Sequence, residues 1–178
     1  MLDFVHLHVH TQYSLLDGQA SIAKLLKKAT ADGMRGMAVT DHGNMMGIKE
    51  FYNACNKLNG ERKKEGLEPF KPIIGCEMYV APNRKESKEK ELGDLVRYHL
   101  IVLAKNKVGY HNLVKLVSRA WVDGFYNKPR TDHADLERYH EGLIVCSACL
   151  AGEVPRKISA GDMAGAREAI EWYHNIWG

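Results

Sequence analysis

Short apolar runs and amphipathic stretches alternate along much of the chain. Apolar residues alternate strictly with histidine over residues 4–10, and this period of two predicts a strand. Continuous apolar runs predict four more strands, at residues 36–40, 72–80, 98–104 and 143–147. Apolar residues at helical spacing predict helices over residues 22–31, 48–58, 111–121 and 163–177. Strands that mostly alternate with helices predict a parallel α/β architecture, in which active-site groups gather where the strands end.

Several helix boundaries carry their own signals. Ser21 and Asp162 are the residue types that cap a helix N-terminus, and Gly33 suits the position after a C-terminus. Asn59-Gly60 is expected to end the second helix. A mixed-charge run at residues 83–94 has the composition of a surface loop, to which we assign no function.

The composition places the chain among ordinary globular proteins. It has 178 residues and a mass of 20.1 kDa, the size of one domain or of part of a larger one. Apolar residues make up 45% and charged residues 26% of the chain, which excludes the disordered class. A net charge of +3 is too small to indicate a nucleic-acid or membrane partner, so any such partner must be inferred from motifs.

The compartment is inferred from missing signals. No apolar run approaches the roughly 18 residues of a transmembrane helix. The first residues also lack the basic and apolar regions of a signal peptide. We therefore expect a cytoplasmic protein without a membrane partner, whose four cysteines are reduced thiols or metal ligands rather than disulfides.

Nine histidines are the unusual feature of the composition, and three of them alternate along the first predicted strand. On one face of a strand, His8 and His10 would lie about 6 to 7 Å apart, close enough to bind one metal ion. Burying three imidazoles without partners would cost on the order of a few kcal/mol each, so packing alone explains them poorly. His6 lies deeper in the strand and is expected to support the ligands rather than to be one.

Four further candidates lie at the ends of predicted strands. Asp41 and His42 directly follow an apolar strand, where folds of this class place their chemistry. Glu77 lies inside an apolar run, where a carboxylate needs a cation or hydrogen-bond donors. A structural ion pair is the alternative for Glu77. His99 begins an apolar strand and has the same two interpretations.

Cys146 and Cys149 have the C-x-x-C spacing of a redox pair or of half a zinc ribbon. The sequence contains no second C-x-x-C, which excludes a ribbon. In a thioredoxin-type pair the first cysteine opens a helix, whereas Cys146 ends a predicted strand. Only Cys149 is placed to join the other strand-end residues.

Six side chains would converge if the strands closed into a barrel: His8, His10, His42, Glu77, His99 and Cys149. Imidazoles mixed with carboxylate favour zinc, or else manganese or iron, over calcium or magnesium. Since one zinc site takes only three or four protein ligands, the set predicts two or three divalent ions. Clusters of this kind bind a phosphate ester and activate a water. The remaining histidines are expected at the surface or in packing: His111, His133, His140 and His174.

Two segments carry a family resemblance: residues 6–18 (HLHVHTQYSLLDG) and residues 40–47 (TDHGNMMG). They resemble the polymerase and histidinol phosphatase (PHP) superfamily. Four more segments are similar to the branch of that superfamily found at the N-terminus of bacterial DNA polymerase III alpha subunits: residues 75–80, 98–106, 109–118 and 147–153. The resemblance covers almost the whole chain.

The resemblance implies a distorted (β/α)7 barrel that holds a trinuclear metal centre. Matched motif by motif, it implies these ligands: His8, His10, Asp17, His42, Glu77, His99 and Cys149. Asp17 enters the set through the resemblance alone, because its local pattern indicates only a turn. The last Asp-x-His pair of the family has no counterpart before residue 178. We therefore expect residues 1–178 to be the N-terminal part of a single PHP domain, truncated before its last strands.

The resemblance also implies a function. Members that keep the ligands are associated with metal-dependent phosphoesterase or 3′–5′ exonuclease activity. The implied partners are DNA, reached through the full-length polymerase, a separate proofreading exonuclease subunit and other replisome subunits. The catalytic carboxylates of the polymerase are expected outside this chain. Tyr13 and Ser14 are candidates for donating hydrogen bonds to phosphate, with packing as the alternative for Tyr13.

Two other functions stay open at the level of the sequence. A metal-stabilised docking module would brace the polymerase or bind a proofreading exonuclease without hydrolysing anything. A stand-alone phosphatase, such as histidinol-phosphate phosphatase, would share the metal ligands. The segments at residues 13–18 and 147–153 favour the polymerase branch over the phosphatase.

Overall fold

The computed structural model describes residues 4–83, 85–86 and 97–178. Within these ranges six strands form one sheet: β1 (Gly36–Val39), β2 (Lys71–Val80), β3 (Tyr98–Ala104), β4 (Phe125–Tyr126), β5 (Lys128–Thr131) and β6 (Leu143–Cys146). The helices in these ranges are α1 (Ile22–Ala31), α2 (Ile48–Lys64), α3 (Lys107–Val122), α4 (His133–Arg138), α5 (Glu153–Ser159) and α6 (Met163–Trp177). Over the same ranges, no helix combines the length and apolar character needed to cross a membrane.

The sheet is mixed, with β2 at its centre. On one edge of β2, β1 pairs in parallel with its first half and β5 pairs in parallel with its end. On the other edge β3 is antiparallel to β2, and β6 is antiparallel to β3. The prediction of a parallel sheet was therefore wrong for β3. Strands β2 and β3 are consecutive in the chain and adjacent in the sheet, and the sequence between them has no helical pattern. Antiparallel neighbours need no crossover connection, whereas parallel neighbours do. The loop predicted at residues 83–94 lies largely outside the described residues.

These strand directions bring the predicted site residues to one edge of the sheet. Because β3 is antiparallel to β2, its first residues lie beside the last residues of β2, with Tyr79 paired to His99. Because β6 is antiparallel to β3, the end of β6 lies at the same edge. His42, just beyond β1, forms an isolated parallel bridge with Glu77, which brings it to that edge as well.

Residues 4–10 lie along β1 but do not form a regular strand, so this predicted strand was wrong. Ala38 N donates to His6 O at 2.8 Å and Thr40 N donates to Val9 O at 2.9 Å. The two donors, in β1 and just beyond its end, are two residues apart, whereas the two acceptors are three residues apart. The extra residue, with a bend at Leu7, interrupts the ladder in the manner of a bulge.

Alternation along β2 separates the core from the site. Cys76, Met78 and Val80 are buried on one face, where they pack against Leu113 and Leu116 of α3. The opposite face carries Glu77 and Tyr79. A second core lies between β1 and the helices α1 and α2. The helices thus fix the backbone of β1 and β2, whose ends present the site residues.

Helix boundaries follow the sequence signals in two places and depart from them in one. The Ser21 and Asp162 side chains cap α1 and α6 as predicted, by accepting from Lys24 N and Gly165 N. The predicted end of α2 at Asn59-Gly60 was wrong, since the helix continues to Lys64. The Asn59 side chain instead pairs with the backbone of Phe70, at 2.7 Å to its N and 2.9 Å to its O.

Candidate metal centre

Four imidazoles surround the carboxylate of Glu77, which is only 1% exposed. His42 Nδ1 lies 2.6 Å and His10 Nε2 lies 3.2 Å from Oε2 of Glu77. His99 Nδ1 lies 2.8 Å and His8 Nε2 lies 3.5 Å from Oε1. Because β2 is buried between its neighbours, this carboxylate is compensated from within the protein rather than by solvent. The sequence predicted that a carboxylate at Glu77 would be buried with compensating partners, and its burial among four imidazoles confirms this.

The donor atoms form three overlapping groups whose members all lie within 4.8 Å of one another. The groups are His8, His10 and Glu77; His10, Asp17 and His42; and His42, Glu77 and His99. Each group offers three side-chain donors, the number that a zinc site with an open position uses. The shared members link the groups into one centre rather than three separate sites.

Two buried atoms at the heart of this centre lack a hydrogen-bond partner. His42 Nδ1 and Glu77 Oε2 are 2.6 Å apart, yet neither makes a bond of proper hydrogen-bond geometry within the described ranges. A divalent cation bound by both atoms would satisfy both lone pairs. Imidazole nitrogens combined with carboxylate oxygens are the donor set of zinc, manganese and iron sites. The residues therefore fit the metal centre that the sequence predicted.

The electrostatics of the site keep Glu77 ionised. Burial alone would raise the pKa of Glu77, but its contacts with His10, His42 and His99 hold that pKa well below its usual range. The contact with Glu77 raises the pKa of His42, against the effect of burial. Burial lowers the pKa of His8, so this imidazole is favoured in the neutral form that binds metals.

Asp17 reaches the centre from a tight turn. Its Oδ2 lies 2.7 Å from His42 Nε2, and this bond lowers the pKa of Asp17. Leu16, just before it, has a positive φ of 69°, a strained conformation of the kind found beside functional groups. The turn closes so tightly that a Cβ at Gly18 would lie 1.9 Å from Thr11 O. The side chain of Asp17 is 61% exposed, which places it at the mouth of the site.

Asp41, a candidate ligand in the sequence, is instead a support for the loop that carries the ligands. It is 1% exposed and accepts from Thr11 N at 2.7 Å and from Thr11 Oγ1 at 2.8 Å. The Ser14 hydroxyl also donates to it at 2.7 Å. Among the described residues, Asp41 belongs to none of the three donor groups. No local signal in the sequence separates this role from that of a ligand, because the donors of Asp41 lie 27 to 30 residues away along the chain.

The hydroxyls proposed to bind phosphate are both engaged within the protein. Ser14 Oγ donates to Asp41, accepts from His42 N at 3.1 Å, and lies 3.1 Å from His10 Nδ1. Tyr13 OH donates to Glu50 Oε2 at 2.8 Å. The packing alternative is therefore the better account of Tyr13, and Ser14 orients other site residues.

Cys149 lies beside the centre. Its Sγ is 3.8 Å from His99 Nδ1, but within the described chain it is in none of the donor groups. Ala148 before it has a positive φ of 61°, and Gly152 after it forms a bridge with His99. Neither Cys149 nor Cys146 is in a disulfide.

The remaining histidines are not in the donor groups of the described chain. His6 is exposed and its ring contacts Phe4 edge-on at 4.7 Å, so its expected supporting role is not seen. His133 stacks on Trp172 at 3.9 Å and contacts Glu153 at 2.9 Å. His111, His140 and His174 are exposed on or near helices, in line with the sequence interpretation.

The fold and the site define a class of protein, an α/β domain with a histidine-rich cluster, able to hold metal ions, where its strands end. Residues 6–178 match the family model described as PHP domain. The chain therefore belongs to the PHP domain family.

Relatives of known identity are similar over nearly the whole chain. DNA polymerase III subunit alpha of Borreliella burgdorferi is 46% identical over 175 residues, which are 98% of this chain and 14% of that protein. The same subunit of Treponema pallidum is 43% identical over 99% of this chain and 14% of its own length. The Thermus aquaticus subunit is 45% identical over 93% of this chain and 13% of its own length. The chain thus spans about one seventh of the relatives it matches.

Solved structures are more distant. A protein described as a metal-dependent phosphoesterase, from Bifidobacterium adolescentis, is 19% identical with a TM-score of 0.37, covering 66% of this chain and 33% of that one. An amidohydrolase from Chromobacterium violaceum is 17% identical with a TM-score of 0.39, covering 94% of this chain and 54% of that one. Structural similarity at this level does not support a functional assignment.

Proposed function

We propose that this chain is the N-terminal part of the PHP domain of a bacterial DNA polymerase III alpha subunit, and that its metal centre hydrolyses phosphodiesters. The observation that carries the proposal is the ring of four imidazoles around the buried carboxylate of Glu77. The finer activity that we propose is that of a 3′–5′ exonuclease or phosphoesterase. The polymerase relatives support DNA as the substrate.

The proposed ligands are those of the sequence analysis: His8, His10, Asp17, His42, Glu77, His99 and Cys149. Two or three divalent ions would be held there, with zinc as the first choice and manganese or iron as alternatives. When bound, the ions supply positive charge to the phosphate oxygens and lower the pKa of the attacking water. Cys149 is the proposed ligand with the least structural support, since among the described residues it is connected to the centre through the 3.8 Å contact of its Sγ with His99 Nδ1.

The residues of the chain have separate tasks in this proposal. Glu77 stays ionised and belongs to two of the three donor groups, so its two oxygens could serve neighbouring ions. Asp17 is the most exposed of the carboxylates and meets the substrate side of the centre. Ser14 contacts His10 Nδ1 and is itself hydrogen-bonded to Asp41, so the two residues fix the orientation of the His10 ring before any substrate binds.

The setting of the domain is also a proposal. Residues 1–178 would form the N-terminal part of a single PHP domain whose barrel is completed further along the polypeptide. Polymerase chemistry would belong to other regions of the alpha subunit. The protein would act in the cytoplasm on DNA, together with other replisome subunits such as a proofreading exonuclease.

A double substitution tests this function in the full-length protein. His8→Ala with His10→Ala removes two donors of one group, and the control His111→Ala removes an exposed imidazole on α3. Metal content by mass spectrometry and release of 3′-terminal nucleotides from labelled DNA are measured for each. We expect the double variant alone to lose both metal and nuclease activity while folding normally. Normal nuclease activity without bound metal would overturn the proposal.

Binding of another replisome subunit, measured on the same variants, addresses the docking module. If the double variant keeps its fold but loses only the binding of another subunit, the centre serves assembly rather than hydrolysis. If the wild-type protein hydrolyses DNA ends and the double variant does not, the enzyme is supported.

A further inference from the structure

Two exposed aromatic rings stack on each other at the end of α3. The rings of Trp121 and Phe125 have centroids 5.5 Å apart and planes inclined by 24°. Trp121 is 42% exposed and Phe125 is 46% exposed, and Val122 beside them is 82% exposed. We call Trp121 and Phe125 the aromatic pair. Large ring faces left in water are a feature of surfaces that bind another molecule.

The aromatic pair is tied directly to the metal centre. Trp121 Nε1 donates to Gly43 O at 2.8 Å, and Gly43 is the residue after His42. Gly43 also lies against the β4–β5 hairpin that carries Phe125, since a Cβ on it would be 2.7 Å from Pro129 Cγ. The pair is therefore held one residue away from a donor of the centre.

A cation from the hairpin that carries Phe125 also lies near the centre. Lys128, exposed at the start of β5, places Nζ 5.7 Å from the centre of the Tyr79 ring. That ring is 6.0 Å from the ring of His42 and 5.2 Å from that of His99. One aromatic ring therefore separates Lys128 from the centre. A basic side chain here complements a phosphate next to the one at the metal ions.

We infer that the aromatic pair is a stacking site for an unpaired nucleobase of a DNA strand whose phosphate lies at the metal centre. This inference rests on the proposed function and adds to it the surface that recognises the substrate. Every base has a π-face, so stacking on aromatic side chains binds single strands regardless of sequence. A neighbouring phosphate of the same strand meets Lys128.

A nucleobase fits this surface better than other occupants. A small phosphate ester without a ring would leave both aromatic faces in water. A protein segment that covered the pair would have no use for a cation and a phosphate-binding centre beside it. A single strand supplies rings and phosphates together, so it can contact the aromatic pair through a base while one of its phosphates reaches the donor groups next to Gly43.

Photocrosslinking tests the site without relying on hydrolysis. An oligonucleotide with 5-iodouracil at its 3′ end is irradiated with the full-length protein, and crosslinked peptides are identified by mass spectrometry. We expect crosslinks on the segment 107–131, which contains both rings. Crosslinks found only elsewhere, or none, would overturn the inference, including the case in which another part of the polypeptide covers the rings.

Kinetics on a matched pair of substrates give the second test. Phe125→Leu removes one ring and disturbs no side-chain hydrogen bond, and Tyr52→Leu removes an equally exposed ring from α2 as the control. For an oligonucleotide with normal 3′ bases, we expect Phe125→Leu to raise KM about tenfold and to leave kcat nearly unchanged. For the same oligonucleotide with abasic 3′ residues, wild type and variant should have equal KM. An unchanged KM on the normal strand would contradict the stacking site.

The two proposals fail in different ways. If the site is wrong but the function is right, Phe125→Leu cleaves both substrates as wild type does. If the function is wrong, either the wild-type protein does not cleave DNA ends or the double variant with His8→Ala and His10→Ala cleaves them as wild type does. In both cases crosslinking alone decides whether the aromatic pair binds bases.

Discussion

The hydroxyl of Ser14 donates a hydrogen bond of 2.7 Å to Oδ1 of Asp41, and both side chains are almost fully buried. A serine hydroxyl has one proton to donate, and here Asp41 receives it. His10 Nδ1, 3.1 Å from the same oxygen, must then be the protonated ring nitrogen. In the neutral ring, His10 Nε2 then carries the lone pair, and this nitrogen faces Glu77 and His8. This chain of bonds therefore selects the tautomer of His10 that can bind a metal.

Ser14→Ala is expected to weaken metal binding without unfolding the protein. The substitution removes the acceptor of His10 Nδ1, so the ring is free to turn and to change tautomer. Loss of such a supporting partner costs about 10- to 100-fold in metal affinity. Competition with a chelator measures the affinity. The control Ser21→Ala removes only the cap of α1, so an equal loss of affinity in that variant would contradict the role of Ser14.

Asp41→Ala is expected to destabilise the fold itself. Thr11 N, Thr11 Oγ1 and Ser14 Oγ would lose their common acceptor in a buried place. Each buried donor left without a partner costs about 1 to 3 kcal/mol, so a loss of several kcal/mol in the free energy of unfolding is expected. Urea denaturation measures it.

A matched control for Asp41→Ala is Asp32→Ala. Asp32 pairs with Lys28 at the surface, where such a pair contributes less than about 1 kcal/mol. If the two variants lose equal stability, the buried network around Asp41 does not hold the loop in the way the bonds indicate.

Features that depend on neighbouring residues were predictable from the sequence. The caps at Ser21 and Asp162 and the bounds of β3 agree with the structure, because side-chain type and apolar periodicity act over a few residues. His8, His10, His42, Glu77 and His99 were identified in the same way, as polar residues where burial was expected. Their convergence needed only that strands end at a common edge.

Features that depend on distant partners were not predictable. The direction of β3 is decided by its pairing with β2, which no local pattern encodes. The bulge in residues 4–10 arises from its register against β1. Asp41 had the same local pattern as a ligand, and only its donors thirty residues away distinguish it as a support. The assignment of Asp17 needed the family resemblance, since its turn carries no metal signature.

Gly43→Ala is expected to disturb both the fold and the centre. Gly43 has a φ of +60°, and a Cβ there would lie 2.7 Å from Pro129 Cγ and 3.1 Å from the ring of Tyr79. The left-handed conformation costs alanine about 1 to 2 kcal/mol, and overpacking adds about 1 to 3 kcal/mol. Thermal and urea denaturation should show a loss of this size, with weaker metal binding because His42 is the preceding residue.

Gly60→Ala is the matched control for Gly43→Ala. It lies inside α2, and nothing within 4 Å would meet the new Cβ. Alanine is favoured over glycine in a helix by about 0.5 to 1 kcal/mol, so this variant should be slightly more stable than wild type. A gain in stability from both substitutions would show that the packing around Gly43 is not restrictive.

Glu153→Gln is expected to cost stability at neutral pH and to cost little in acid. Burial alone would raise the pKa of Glu153, but the hydrogen bond from His133 at 2.9 Å lowers it, with a further bond from Tyr173 at 3.2 Å. A carboxylate whose pKa is lower in the folded state stabilises the fold above its unfolded pKa of about 4.3, and this contribution is lost as the pH falls through the folded value. Urea denaturation of wild type and variant at several pH values should therefore show a difference that shrinks in acid. Glu171→Gln changes an exposed carboxylate on α6 and should show no such trend, whereas a cost for Glu153→Gln that does not vary with pH would contradict the ionised pair.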